Sequence, residues 1–135
     1  MGNRAVIRLE NKNEVAIYLH WNGGVESVLA FLEAAKKFGV RDPLQDSYGM
    51  ARLTQIVCNF FGGTLSVGLG LPERLDEDNY DNGSYILGPN WTIAKRLFTK
   101  DQRKQVTDLA GKELDYYAGV LEETIKKNAA LFKER

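Results

Sequence analysis

The chain has one cysteine, Cys58, one histidine, His20, and three prolines in 135 residues. A lone cysteine excludes an internal disulfide and fits a reducing compartment, so cytoplasm is the expected location. Zinc sites draw three or four ligands from His, Cys, Asp and Glu, and a single histidine with a single cysteine on what reads as a helical core face is no familiar set. No metal and no cofactor is expected. Apolar runs are a few residues long, far short of the roughly 20 that span a membrane. The first strand begins almost at Met1, without the basic and apolar regions of a signal peptide, so neither insertion nor export is expected. An excess of one charge is missing too. With 18 basic and 18 acidic residues there is no net field to steer the molecule onto a phosphate backbone, which disfavours general nucleic-acid binding, and no dense negative charge to mimic DNA.

What is present is ordinary globular material: 44% hydrophobic and 27% charged residues, in a length that hides roughly two-thirds of the unfolded chain's surface. The expected fold class is α+β: an N-terminal β-hairpin and further short antiparallel strands, packed with two medium helices and one long C-terminal helix, all in a single domain over 1–135. Apolar and polar residues alternate from Arg4 to Leu9 and from Val15 to His20 around the turn Asn11-Lys12-Asn13. This predicts the hairpin, with Ala5, Ile7, Leu9, Val15, Ile17 and Leu19 facing inward. Val25, Val28, Leu29, Leu32 and Ala35 recur at helical spacing up to Phe38, where Gly39 provides a left-handed cap. Asp46 or Ser47 can cap a second helix, striped by Met50, Leu53, Ile56, Val57 and Phe60 and ended by Gly62-Gly63. Leu65, Val67 and Leu69 alternate as a strand. From Pro72 to Gly83 the chain turns acidic and reads as an exposed loop. Short strands at about Ser84 to Leu87 and Trp91 to Lys95 flank the turn Gly88-Pro89-Asn90.

Thr99 with Gln102 forms a capping-box pattern for a last helix over about 100–134, whose stripe runs from Val106 to Phe132. Such a helix would be roughly 50 Å long beside a domain with a radius of gyration near 14 Å. Either Gly111 or Gly119 breaks it, or the stripe packs on a second copy, and a homo-oligomer through this helix is the expectation.

Chemistry concentrates where a strand meets a glycine pair and a helix, at His20, Trp21, Asn22, Gly23 and Gly24. Free amides at a helix start bind anions, and these side chains would add a titratable group, a stacking face and an amide. The ordinary alternative is a sharp turn with Trp21 in the core. A third glycine and a distant acid are lacking, which excludes a dinucleotide fingerprint. Lys95, Arg96, Lys100, Arg103 and Lys104 gather near the start of the expected last helix, where Arg96 and Arg103 could hold a phosphate. Arg52, one residue from a core stripe, could project towards the glycine loop. The acidic stretch from Asp76 to Gly83 fails as a calcium loop: with Asp78 first, Tyr80 and Pro89 fall on ligand positions. His20 with Ser27 or Ser47, or with carboxylates, is the alternative of a small hydrolase or transferase, though no nucleophile-elbow motif supports it.

Gly2-Asn3-Arg4-Ala5-Val6-Ile7, Tyr18-Leu19-His20-Trp21-Asn22-Gly23-Gly24 and the stretch from Asp78 to Ile86 together resemble a set of small uncharacterised proteins encoded by bacteriophages and prophages of gut bacteria. The resemblance covers roughly the first hundred residues, leaves the last helix unmatched and carries over no functional residue. It implies a phage accessory protein that binds host proteins or host signalling molecules. The expected function is therefore non-enzymatic: sequestering a small anionic, nucleotide-like ligand, or inhibiting a host factor in counter-defence. A purely structural assembly role is a third reading.

Overall fold

A computed structural model describes residues 3–61, 66–77 and 79–97, and the strand backbone of 103–104. Among the described residues a six-stranded mixed sheet carries two helices. The strands are β1 (Ala5–Arg8), β2 (Ala16–Leu19), β3 (Val67–Gly70), β4 (Ser84–Gly88), β5 (Thr92–Leu97) and β6 (Arg103–Lys104), in the order β3-β2-β1-β4-β5-β6. The helices are α1 (Val25–Lys37) and α2 (Ser47–Phe61). β1 and β2 pair antiparallel, with Ile7 opposite Ile17, and β3 extends the sheet from β2, with Leu69 opposite Ile17.

Two parts of the expected fold are corrected. The strands are not all antiparallel, because β4 pairs with β1 in parallel, Ile7 opposite Tyr85. Parallel neighbours need a long crossover, here supplied by everything from β2 to the acidic segment. The start of the expected C-terminal helix is also overturned: Arg103 and Lys104 are extended and pair with Leu97 and Arg96. The backbone there pairs with the edge that β5 offers instead of closing a helical turn. Thr99, Gln102, the rest of the helix at 105–134 and the oligomer built on it lie outside the described residues, as do Gly62, Gly63 and Leu65.

The core lies between the sheet and the helices. Ala5, Ile7, Ile17, Leu19, Tyr85 and Leu87 project from one face onto Val28, Phe31, Leu32 and Ala35 of α1 and Leu53, Ile56 and Val57 of α2. Of the predicted stripes, Val28, Leu32, Ala35, Leu53, Ile56 and Val57 are buried, Val25, Met50 and Phe60 are partly buried against the core, and Leu29 is only half-buried while Phe31 takes a core place. Gly39 ends α1 at φ 68°, and the Val40 amide reaches back to the Ala35 carbonyl. Cys58 is an exception to the expected pattern: it is exposed, outside the buried stripe of α2. Val15, expected inward, is exposed, since the helices leave that end of β2 uncovered.

β1 is buried on both faces. On the face away from the helices, Arg8 is held by the acidic segment: its Nε donates to Glu77 Oε1 at 2.5 Å, and one terminal nitrogen donates to the Leu9 carbonyl at 2.9 Å. Ser84 of β4 donates to the same Glu77 oxygen at 2.9 Å. The segment expected as a solvated loop thus fastens onto the centre of the sheet. Asn79, fully buried, ties it together by donating to the carbonyls of Asp76 and Gly83 and accepting from the amides of Asp81 and Gly83.

Candidate functional site

Two surfaces stand at opposite ends of the sheet. At the first meet the start of β1, the end of β2, the start of α1, the acidic segment and Arg96 of β5. Gly23 is the hinge. Its amide donates to the Asn3 carbonyl at 2.8 Å, and a Cβ on it would lie 2.5 Å from that same oxygen and 2.7 Å from Ala5 Cβ. Only glycine lets the two backbones approach so closely. Tyr85 donates to the Gly23 carbonyl at 2.7 Å; burial pushes its phenol well above the ordinary range.

Of the expected site residues, His20, Trp21, Asn22, Gly23, Gly24 and Arg96 are brought to this end. His20 Nδ1 shares a hydrogen bond with the Tyr18 hydroxyl at 3.0 Å, and its ring meets Trp21 edge-on at 5.2 Å. Trp21 is 44% exposed rather than part of the core. Asn22 takes a left-handed φ of 56°, which asparagine tolerates, and donates to Ser27 Oγ at 3.4 Å. Gly24 precedes α1 with no side-chain cap, and Glu26 sits in the first turn. A carboxylate there occupies the positive end of the helix dipole that an anion would use.

The cations at this end are matched already. Arg4 Nε donates to Asp81 Oδ2 at 2.8 Å, with Asp76 at 3.6 Å, and its hydrogen bond holds the Asp81 carboxyl below the ordinary range. Arg96 is buried, lies over the Tyr85 ring at 4.4 Å and donates to Asn82 Oδ1 at 3.0 Å. Desolvation lowers its pKa. Lys95, on the opposite face of β5, pairs with Glu10 at 2.9 Å. The basic cluster is therefore divided between two faces by strand periodicity. Arg103 lies opposite Leu97 in β6, and Lys100 falls outside the described residues. Arg52 donates to Gln55 on its own helix at 2.8 Å.

For the hydrolase alternative, Ser27 is the hydrogen-bond acceptor of Asn22, and Ser47 lies at the other end of the molecule. Among the described residues no cluster of three His, Cys, Asp or Glu side chains could hold a metal, and no helix is long and apolar enough to cross a membrane.

The second surface is a groove of about 810 Å³. One wall is the uncovered end of the sheet, with Leu9, Val15 and Leu69; the other is the Pro43–Ser47 loop and the first turns of α2, with Leu44, Met50 and Thr54. Gly49 sets the second wall, since a Cβ there would lie 2.6 Å from the Arg41 carbonyl and 2.7 Å from Pro43 Cα, so only glycine lets α2 start against that loop. Val15, Leu44 and Leu69 are 51%, 50% and 57% exposed. Glu10, Glu14 and Asp46 rim the groove, and among the described residues no lysine or arginine lines it. Sequence reading missed this site because alternation marks Val15 and Leu69 as inward without saying whether a helix covers them. The available signal was the glycine content of β3, which marks a strand that a ligand or another backbone can approach closely.

Comparison with protein-family models, with curated proteins and with solved structures finds no match.

Proposed function

We propose that this chain is a non-catalytic binding protein whose working surface is the apolar groove between β2, β3 and α2, and that it captures a segment of another protein there. The observation that carries this reading is three half-exposed aliphatic side chains, Val15, Leu44 and Leu69, converging on one open groove. A folded chain gains by burying such side chains unless they serve a contact, and exposed apolar patches rimmed by polar groups are the usual mark of protein interaction. Taken with the phage resemblance, the partner is a host protein, met in the bacterial cytoplasm.

The nucleotide-like ligand draws less support. Arg4 and Arg96 are engaged by Asp81, Asp76, Asn82 and Tyr85, and Glu26 stands at the helix start where a phosphate would sit. A hydrolase has less still, since His20 is paired with Tyr18 and, among the described residues, no serine, threonine or cysteine is hydrogen-bonded to it.

Selection of a random peptide library on the immobilised chain tests the reading. Ligands should be enriched that bind the wild type and are lost on both Val15→Asp and Leu69→Asp, two changes at exposed positions that leave the fold intact by circular dichroism. Enriched ligands indifferent to both changes would refute the groove as the working surface.

A further inference from the structure

The open wall of the groove is also the open edge of the sheet. β3 is the last strand on its side, and among the described residues nothing pairs with its outer edge. The phase of its pairing with β2 follows from one bond: His20 N donates to the Ser66 carbonyl at 2.9 Å. In an antiparallel ladder, hydrogen-bonded pairs recur every second residue. With Tyr18 opposite Gly68 and Ala16 opposite Gly70, the backbone groups of Ser66, Gly68 and Gly70 face β2. Those of Val67 and Leu69 face away. The same alternation accounts for the Val6 amide turning to the Gly83 carbonyl on the far side of β1.

Leu69 thus offers an N–H and a C=O that no described residue pairs with, and a half-exposed aliphatic side chain, at one point. Its side chain lies on the helix-covered face, because it is directly opposite Ile17 in the core. Natural sheets blunt an open edge with proline, inward charge or a covering loop. The sequence Val67-Gly68-Leu69-Gly70 has no proline and no charge.

The charge at the groove gives the chemistry of the occupant. Lys95 reaches Glu10 at 2.9 Å and Arg41 reaches Asp46 at 3.3 Å, each from outside the lining. Glu14 is exposed and has no ion pair among the described residues. A basic side chain is the complement.

Resting on the reading of the groove as a protein-binding surface, we infer that its occupant is an extended segment of a partner protein that adds to the sheet beside β3. Alternate aliphatic side chains of that segment enter the groove against Leu69, Val15 and Met50, and a lysine or arginine lies beside Glu14. Main-chain bonds to Val67 and Leu69 supply affinity, and the alternate side chains supply selectivity.

A fluorescein-labelled peptide of sequence KTVTLTK, read by anisotropy on the intact chain, tests this. Its two versions with N-methyl groups on the Val and Leu amides, or on the Thr amides, cover both strand directions, because the amides that face β3 differ between antiparallel and parallel addition. The expected result is that one version loses about tenfold or more in affinity while the other binds like the unmodified peptide. Leu69→Asp abolishes binding, and Glu14→Lys weakens it by about threefold or more at low salt. Strand addition is overturned if neither methylation phase matters, or if the peptide fails to bind at about 1 mM. The groove itself then still stands or falls by the library selection. A wild-type dimer in sedimentation that Leu69→Asp dissociates would overturn the foreign partner in favour of a second copy.

Discussion

Replacing Glu77 by alanine tests whether the acidic segment is a structural clamp. Arg8 has a side chain only 4% exposed, and Glu77, 28% exposed, is its counter-charge at 2.5 Å. Removing one partner of a buried ion pair costs about 3–5 kcal/mol, because the other charge is left desolvated. Arg8 keeps its bond to the Leu9 carbonyl and Glu77 is partly wetted, which places the loss near the lower end, about 3 kcal/mol. The buried Ser84 hydroxyl also loses its acceptor, adding about 1 kcal/mol. The total, about 4 kcal/mol, corresponds in a domain of this size to a fall in Tm of roughly 15 °C. Urea unfolding followed by tryptophan fluorescence measures it. In the double variant Arg8→Met, Glu77→Leu, which replaces both charges by apolar groups, stability should return to within about 1 kcal/mol of wild type. A loss below about 0.5 kcal/mol for Glu77→Ala, with no coupling in the double-mutant cycle, would refute the clamp.

The side-chain amide nitrogen of Asn59 on α2 is buried with no hydrogen-bond partner among the described residues, so Asn59→Leu should raise stability by about 1–2 kcal/mol in the same assay, and a loss would contradict the assignment. Gly23→Ala forces a Cβ to 2.5 Å from the Asn3 carbonyl oxygen and should cost about 2–3 kcal/mol. Gly24→Ala meets nothing nearer than 3.4 Å and should cost less than about 1 kcal/mol; equal effects would count against the close approach at Gly23. Burial raises the Tyr85 phenol above its ordinary 10.0, so its contribution is fully present below that pH and is lost as pH rises further. Tyr85→Phe should lose about 1 kcal/mol at neutral pH, for the bond to the Gly23 carbonyl, and lose less than wild type above pH 10; parallel curves from neutral to alkaline pH would exclude Tyr85 as the titrating group.

Much of the first surface was legible. The segment from His20 to Gly24 stood out because a glycine pair between a strand and a helix is a local pattern, and it does sit at a strand-to-helix turn. Its charge balance was not legible, because Arg4 meets Asp81 across 77 positions of sequence. The basic cluster at 95–104 looked like one site because its residues lie close together in sequence around the expected helix start; in β5, Lys95 and Arg96 point to opposite faces. The groove could not be seen at all, because Leu9, Val15, Leu44, Met50 and Leu69 come from five separate stretches.

The sequence by itself determined the elements whose signals are short-ranged: the alternation of the first two strands, the stripes of α1 and α2, and the left-handed stop at Gly39. Each depends on side chains within a turn or a pleat of one another, so no distant contact is needed to read it. Tertiary structure alone decided strand order, the parallel pairing of β4 with β1, the burial of Arg8 under Glu77 and the exposure of β3 at an edge. A strand's period says which residues share a face, but the partner on either side, and whether a helix covers that face, follow from contacts between residues far apart in the chain.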